Sequence, residues 1–215
     1  MSNTMQRIIA SAFMILGAVG IAVAEHWGYN AVRYAGIAIV AMMIFEYLSC
    51  LRRAAADVLK AQWRPMALFM GLLIAMMVAV NVIGKNPDVI LQLLLVICAA
   101  DVGAWLFGHL IGGDKMWERM SAGKTWAGQI AGIICGAITL VAYGFITGQE
   151  NAANLVWFGI SIALLSQYGD ITASWIKRKL GIKDFGTILP GHGGVLDRFD
   201  GWIYVITLGW LTQIF

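Results

Sequence analysis

The chain consists mainly of long apolar runs separated by short polar connections. Several of these runs approach the roughly 20 residues that a helix needs to cross a bilayer. None alternates apolar and polar residues in segments of about ten, as the strands of a membrane barrel do. The pattern predicts an all-α, polytopic membrane bundle of about seven transmembrane helices: 7–24, 34–51, 66–84, 89–110, 126–147, 154–176 and 196–215.

The composition favours a membrane protein over a soluble domain. Of the 215 residues, 60% are hydrophobic and 13% are charged, whereas an ordinary soluble domain has about 25% charged residues. Because the chain shows no internal repeat and no linker composition, we expect one transmembrane domain over 1–215. Within it, 1–100 holds generic spans and 101–201 holds the motifs that carry chemistry. The three cysteines are isolated in apolar runs, which indicates neither a disulfide framework nor a metal cage.

The basic residues are distributed unevenly between the two sets of connections. Thirteen of the fifteen Lys and Arg residues fall on one side of the predicted spans, which leaves Arg33 and Lys85 on the other. The positive-inside rule makes the first side cytoplasmic, so we expect a cytoplasmic N-terminus and an external C-terminus. The bilayer is thus an expected partner and nucleic acid is not. The compact chain favours a bacterial inner membrane.

A stripe of polar residues follows one face of the sixth predicted span. Positions three and four residues apart share a helix face, and the stripe repeats at these steps: Gln167, Asp170, Ser174 and Lys177. A polar face on a spanning helix must contact protein or water rather than lipid. The stripe therefore indicates either a site that opens to the membrane surface or an interhelical hydrogen-bonded seam.

Two other predicted spans also contain a carboxylate. Ionisable residues inside a membrane are costly, which makes them candidates for function. Asp101 either orients a basic residue or contacts a nucleotide or metal, and the alternative is a buried hydrogen-bond anchor. Glu46 is expected to pair with a basic residue elsewhere in the chain, and it receives no role in the chemistry.

Two more carboxylates begin the last predicted span. Asp197 and Asp200 are three residues apart, so they project from the same side of a helix. Together with Asp170 they form an oxygen-rich set of the kind that Mg²⁺ prefers, with waters and substrate phosphates completing its shell. We therefore expect Mg²⁺, alone or with a second cation, on these three side chains.

Basic and glycine-rich stretches surround these carboxylates. Lys177, Arg178 and Lys183 precede them, and the run 190–194 (Pro-Gly-His-Gly-Gly) cannot be the interior of a helix. Glycines permit positive φ and allow backbone N–H groups to approach a phosphate closely. His192 is either a phosphate donor or proton carrier, or a plain loop histidine. The combination indicates metal-assisted phosphate chemistry.

The loop before the fifth span resembles the end of a phosphate-binding P-loop. It contains Ser121, Lys124 and Thr125, but the first glycine of that motif would fall on Glu118, so the P-loop interpretation fails. A Ser/Lys/Thr cluster at the start of a helix can still bind an anion. The alternative is a solvated helix cap with a lysine that extends to the membrane surface.

Three segments resemble the phosphatidate cytidylyltransferases, also called CDP-diacylglycerol synthases. The most specific match covers 27 residues: Ser174-x-x-Lys177-Arg178, Lys183-Asp184 and Leu189-Pro190-Gly191-His192-Gly193-Gly194-Val195-Leu196-Asp197-Arg198-Phe199-Asp200. Two weaker matches are Asp101-x-x-Ala104-Trp105-x-x-Gly108 and Ser121-x-x-Lys124-Thr125-Trp126-x-Gly128. Ala122 and Ala127 stand where that family is expected to have Pro and Glu.

The resemblance implies transfer of CMP from CTP to phosphatidic acid, with CDP-diacylglycerol and pyrophosphate as products, and it implies a homodimer. The catalytic residues implied are Asp197, Asp200, Lys177, Arg178 and His192. The substrate-binding residues implied are Ser121, Lys124, Thr125, Ser174, Lys183, Gly193, Gly194, Arg198 and Asp101. The metal ligands implied are Asp170, Asp197 and Asp200.

Other functions fit the same polar groups. A CTP-dependent lipid kinase would form CDP and a lipid phosphate, and a related cytidylyltransferase would act on another lipid phosphate. From a different class, a transporter or scaffold would only bind phosphates in this loop. Transporter sites usually lie near the middle of the membrane and between inverted repeats. Here the charges cluster at one membrane face and no repeat is found, so we expect an enzyme.

Overall fold

The computed structural model describes residues 16–117, 121–149, 151–189 and 193–212, with the backbone alone for residues 117, 121 and 122. The helices are α1 (Leu16–His26), α2 (Ala31–Arg53), α3 (Ala56–Ile83), α4 (Pro87–Leu110), α5 (Trp126–Thr147), α6 (Ala152–Lys179), α7 (Leu196–Phe199) and α8 (Trp202–Leu211). A two-stranded antiparallel hairpin, β1 (Lys115–Trp117) and β2 (Ser121–Thr125), lies between α4 and α5.

The helices confirm the prediction of an all-α polytopic membrane protein. Helices α2 to α5 are long and apolar enough to cross a membrane, by length and composition. Helix α6 is also long, at 28 residues, and it contains the predicted polar stripe. Part of the predicted first span, residues 7–15, lies outside the described residues. The hairpin was not predicted, because its strands have only three and five residues and β2 has no alternating pattern.

The predicted last span is divided between α7 and α8. Asp200 and Gly201 separate the two helices, but both residues keep right-handed helical backbone angles, with φ of −61° and −60°. The chain from Val195 to α8 therefore follows a nearly continuous helical path. This path begins where the sequence placed the start of the span.

Helix α3 contains a kink before its membrane-compatible part. Gln62 has non-helical angles (φ −120°, ψ 20°), and Pro65 lies three residues further on. Proline has no N–H to donate to the preceding turn and its ring clashes with that turn, so a helix bends there. The predicted span began at residue 66, directly after this bend.

Close helix packing depends on the glycine stripe of α5. Gly128, Gly132 and Gly136 are all buried. A methyl group on Gly132 would lie 2.7 Å from the carbonyl oxygen of Ala100 in α4. One on Gly136 would lie 3.0 Å from the side chain of Ala163 in α6. The stripe therefore brings α5 against both neighbours, as small residues do in membrane helices.

A cluster of aromatic rings joins the loop after α6 to α2 and α3. Phe185 in the loop lies 6.0 Å, between ring centroids, from both Tyr47 of α2 and Phe69 of α3. All three residues are fully buried. The Tyr47 hydroxyl donates a hydrogen bond of 3.0 Å to the carbonyl oxygen of Met66. The polar segment that follows α6 is thus attached to the N-terminal helices.

We predict that Gly132→Ala destabilises the bundle, because its new methyl group overlaps the Ala100 carbonyl and the Gln167 amide. Overpacking of this kind costs about 1–3 kcal/mol. Gly71→Ala in α3 is the matched control, since no atom lies within 4 Å of its added methyl group. Thermal unfolding in detergent should show a lower Tm for Gly132→Ala and an unchanged or higher Tm for Gly71→Ala. Equal Tm values would contradict the packing role of the stripe.

Candidate active site

A cavity of about 510 Å³ opens at the end of the bundle where α4 and α6 finish and α5 begins. Five helices, α4 to α8, and the β2 strand contribute to its wall. Eight of the predicted site residues line it: Asp101, Lys124, Thr125, Asp170, Lys177, Asp197, Arg198 and Asp200. The cavity therefore brings together residues that are about 100 positions apart in the chain.

The polar stripe of α6 contributes both to the cavity wall and to a hydrogen-bonded seam between helices. Asp170 lines the cavity and forms an ion pair of 2.5 Å with Lys124, which β2 supplies. Ser174 lies one turn further along and donates a hydrogen bond of 3.4 Å to Asp170 Oδ1. Deeper in the helix, the side-chain amides of Gln167 and Gln129 are hydrogen bonded to each other across α5 and α6. The stripe is a seam at one end and a cavity wall at the other.

Among the predicted site residues that the structure describes, Asp197 has three polar partners, which lie in different parts of the chain. Its Oδ1 forms an ion pair of 2.8 Å with Lys177 Nζ. Its Oδ2 accepts hydrogen bonds from the backbone N–H groups of Phe185 (2.8 Å) and Gly194 (2.9 Å). Only 6% of its side chain is exposed. Asp197 thus connects the loop after α6, the glycine-rich turn and the Lys177 ammonium group.

Asp200 has a different environment from Asp197. Its Oδ1 accepts a hydrogen bond of 2.9 Å from the backbone N–H of its neighbour Gly201, and its side chain lines the cavity. Helix α6 reaches this part of the chain because residue 169 is a glycine: any side chain there would collide with the Asp200 carbonyl oxygen. Asp200 is therefore held against α6, next to Asp170 along the cavity wall.

The three predicted metal ligands are unequal in their capacity to bind a cation. Among the described residues, no group of three or more His, Cys, Asp or Glu side chains is arranged to hold a metal. Asp197 is nearly buried, and its oxygens contact Lys177 and two backbone N–H groups. Asp170 also has partners for both oxygens, but they are the side chains of Lys124 and Ser174, and 42% of the Asp170 side chain is exposed. Asp170 and Asp200 line the same cavity, and Mg²⁺ is commonly bound by one or two carboxylates together with substrate phosphates. These two residues fit Mg²⁺ in chemistry, and the magnesium site stays a prediction.

Several predicted site residues lie beside the cavity rather than in its wall. Arg178 donates a hydrogen bond of 3.5 Å to the Ile182 carbonyl oxygen, which holds the turn after α6. Lys183 is exposed on that turn. Ser174 donates its hydrogen bond to Asp170 from outside the cavity wall. Ser121 is described by its backbone alone, as the first residue of β2.

Of the glycine-rich turn 190–194, the structure describes Gly193 and Gly194. Gly193 has a φ of +84°, and its carbonyl oxygen accepts a hydrogen bond of 2.9 Å from the N–H of Leu189. Gly194 donates its N–H to Asp197 rather than to an open phosphate site. His192 lies outside the described residues, so its predicted role stays a prediction.

Thr125 and Lys124 lie where β2 meets α5. Thr125 is the N-cap of α5, and its Oγ1 accepts a hydrogen bond of 3.1 Å from the N–H of Gly128. An N-cap hydroxyl satisfies one of the free N–H groups at a helix start. Thr125 is thus a helix cap, and Lys124 lies in the cavity wall. Anion binding by this loop stays a prediction.

Glu46 has partners that the sequence did not indicate. Among the described residues, its hydrogen-bond partners are two backbone N–H groups, those of Val195 (3.0 Å, to Oε1) and Leu196 (2.8 Å, to Oε2), rather than a basic side chain. The residue is 3% exposed. A partner about 150 positions away that uses only its backbone leaves no pattern in the sequence.

Further residues of the cavity wall were not predicted as site residues. They include His109, Gln129, Ser166 and Asp184. His109 Nδ1 lies 2.9 Å from the carbonyl oxygen of Trp105, one turn back in α4. Asp184 adjoins Lys183 in the specific sequence match, which is the signal that could have identified it. The other three are on helix faces whose direction depends on packing.

Comparison with known proteins gives a consistent result. A family model described as the cytidylyltransferase family matches residues 61–215. The chain is 42% identical over 120 residues to the phosphatidate cytidylyltransferase of Staphylococcus haemolyticus (strain JCSC1435), and the alignment covers 55% of this chain and 46% of the relative. The proteins of the same name from Staphylococcus aureus (strain COL) and Staphylococcus epidermidis (strain ATCC 12228 / FDA PCI 1200) are each 41% identical over the same coverage. The chain spans about half the length of the curated relatives it matches.

We predict that Asp197→Asn lowers stability much more than Asp200→Asn does. The first change leaves Lys177 without its carboxylate and puts an amide next to three donors. Breaking a buried ion pair of this kind costs about 3–5 kcal/mol. The second change keeps an oxygen for the single recorded N–H partner. Thermal unfolding of both variants in detergent checks this, and similar Tm values would contradict the structural role of Asp197.

Proposed function

Because the chain belongs to the cytidylyltransferase family, we propose that it transfers CMP from CTP to phosphatidic acid, with CDP-diacylglycerol and pyrophosphate as products. The relatives it matches are named phosphatidate cytidylyltransferase. The observation that supports this most directly is the cavity in which two lysines lie among carboxylates at one end of the helix bundle. A nucleoside triphosphate and a lipid phosphate are both anionic, so their reaction needs such cations.

In this reaction an oxygen of the phosphatidate phosphate attacks the α-phosphorus of CTP. A new P–O bond forms, the bond between the α-phosphorus and its bridging oxygen breaks, and pyrophosphate leaves with that electron pair. A phosphate monoester is already anionic near neutral pH, so the attack needs no strong general base. The protein therefore acts mainly by positioning the two phosphates and by stabilising charge.

Lys177 and Lys124 are the residues we propose for charge stabilisation. Lys177 is held between the Asp197 carboxylate and the Phe185 ring, whose centroid lies 5.4 Å from Nζ. Its ammonium group is therefore fixed in direction before any ligand binds. Lys124 is placed by β2 and paired with Asp170. Together they bring two positive charges to one cavity, where a triphosphate would be bound.

We propose that Asp170 and Asp200 hold the Mg²⁺ ion and that Asp197 acts indirectly, through Lys177 and the glycine-rich turn. When bound, the ion neutralises charge on the nucleotide phosphates. Asp101 lines the same cavity as these two carboxylates, and Lys124, which lies there too, is paired with Asp170.

The position of the cavity supports a site that faces the cytoplasm. Its end of the bundle carries the connections in which the basic residues concentrate, and the positive-inside rule assigns such connections to the cytoplasm. We therefore propose that the protein binds CTP on the cytoplasmic face and takes phosphatidic acid from the bilayer. The matched relatives are bacterial, in agreement with a bacterial cytoplasmic membrane. The homodimer stays a prediction.

The test is release of pyrophosphate by purified protein in detergent with CTP, Mg²⁺ and phosphatidic acid. We expect release that requires all three components and that falls about 100-fold or more in Asp200→Asn, because the variant loses a charge in the cavity. Asp88→Asn is the matched control, since Asp88 is exposed in the first turn of α4, at the opposite end from the cavity. This variant should keep full activity.

Other outcomes would change the proposed function. Formation of CDP without pyrophosphate would indicate a lipid kinase. Pyrophosphate release with another lipid phosphate, but none with phosphatidic acid, would keep the reaction type and change the substrate. No turnover with any lipid phosphate would overturn the enzyme proposal and favour a transporter or scaffold.

A further inference from the structure

Helix α2 lies entirely before residue 61, where the family match begins, yet it contacts the segment that bears the proposed catalytic residues. Glu46 and Cys50 lie four residues apart, on one face of α2. The Cys50 thiol lies 2.7 Å from the carbonyl oxygen of Phe185. Glu46 reaches the N–H groups of Val195 and Leu196. Two points of the connection between α6 and α7, Phe185 and the start of α7, are thus attached to the same helix face.

The Glu46 carboxylate is fitted closely into this loop. A methyl group on Gly194 would lie 2.5 Å from Oε2, and one on Gly186 would collide with Oε1. The loop backbone therefore lies close against the carboxylate at these two glycines. Each carboxylate oxygen accepts one backbone N–H, and an ionised carboxylate is the side chain that offers two acceptor oxygens in this shape.

The contacts of Glu46 continue directly into the proposed site. Gly194, which packs on the Glu46 carboxylate, donates its own N–H to Asp197 Oδ2. Asp197 in turn holds Lys177 through Oδ1. Asp200 follows on the same helical path that begins at Val195. A shift of the Val195 backbone would therefore move Asp197, Lys177 and Asp200 together.

We infer that Glu46 is a positioning residue for the proposed reaction: from α2 it fixes the turn and the helix start that carry Asp197 and Asp200. Its effect on chemistry passes through the Gly194–Asp197–Lys177 contacts, since Glu46 is not part of the cavity wall. This effect on activity rests on the proposed function. The attachment of the loop to α2 does not, so the two can be tested separately.

Glu46→Gln is the most selective test, because it keeps the size of the side chain. The amide supplies one acceptor oxygen, and its NH₂ group must face a backbone N–H. Glu25→Gln is the matched control. Glu25 Oε2 also accepts a hydrogen bond from a backbone N–H, that of Val32 at the start of α2 (2.9 Å). This partner lies in α2 and not in the segment that carries Asp197.

The first measurement is hydrogen–deuterium exchange of the full-length chain in detergent. In Glu46→Gln, we expect amides of a peptide containing Val195 and Leu196 to exchange about tenfold faster or more, because they lose a buried partner. Peptides from α4 and α5 should exchange as in the wild type. Glu25→Gln should leave the 195–196 peptide unchanged. Unchanged exchange at 195–196 in Glu46→Gln would overturn the inference.

The second measurement is steady-state kinetics of pyrophosphate release at a temperature well below the Tm of both variants. We expect kcat of Glu46→Gln to fall about tenfold or more, since misplacement of reacting groups by about 1 Å can cost about 100-fold. KM for CTP should change less than about threefold, and Glu25→Gln should match the wild type. A general loss of folded protein would instead lower the active fraction of enzyme and the Tm. It would not speed exchange selectively in the 195–196 peptide.

The two measurements separate the possible failures. Faster exchange with unchanged kcat would overturn the positioning role. If the wild-type chain shows no cytidylyltransferase activity, the proposed function fails, and exchange alone then decides whether Glu46 holds the loop.

Discussion

The Asp197 carboxylate is the interaction on which the arrangement of the cavity depends. It is nearly buried, and it accepts two backbone N–H groups while pairing with Lys177. A buried charge is tolerated only when it is paired and hydrogen bonded, so its partners cannot move independently. The end of α6, the loop at Phe185 and the glycine-rich turn must therefore take one relative position. That position sets the direction of Lys177 and the place of Asp200 on the cavity wall.

The walls of the cavity require helices that approach more closely than ordinary side chains allow. Gly132 brings α5 to the backbone of α4, and Gly169 brings α6 to the backbone at Asp200. Membrane helices gain little from the hydrophobic effect among themselves, so close van der Waals packing holds them together. The glycines thus have a double consequence. They stabilise the bundle, and they leave a cavity between the helix ends in which polar groups from four helices meet.

The sequence predicted those features that depend on local periodicity. Apolar runs gave the helices, and three- and four-residue spacing placed Asp170 and Lys177 on one face of α6, where the structure has them. The hairpin at β2 was missed because its five residues have no alternating pattern. Glu46 was misinterpreted for a different reason. Its partners are backbone N–H groups about 150 residues away, and side-chain identity carries no information about such a pairing.

The D-x-x-D spacing also shows why a motif does not by itself assign a role. Asp197 and Asp200 are three residues apart and line one cavity, so the sequence treats them alike. The surroundings of the two carboxylates differ. A carboxylate whose oxygens already accept three donors must give up those bonds to bind a metal, whereas one with a single neighbouring N–H keeps free acceptor capacity. Asp170 differs from Glu46 in exposure and in the kind of partner. Glu46 is buried and accepts two backbone N–H groups, whereas 42% of the Asp170 side chain is exposed and its partners are the side chains of Lys124 and Ser174. Glu46 and Asp197 thus hold the backbone, and Asp170 and Asp200 are the acids that we propose to bind a cation with its phosphates.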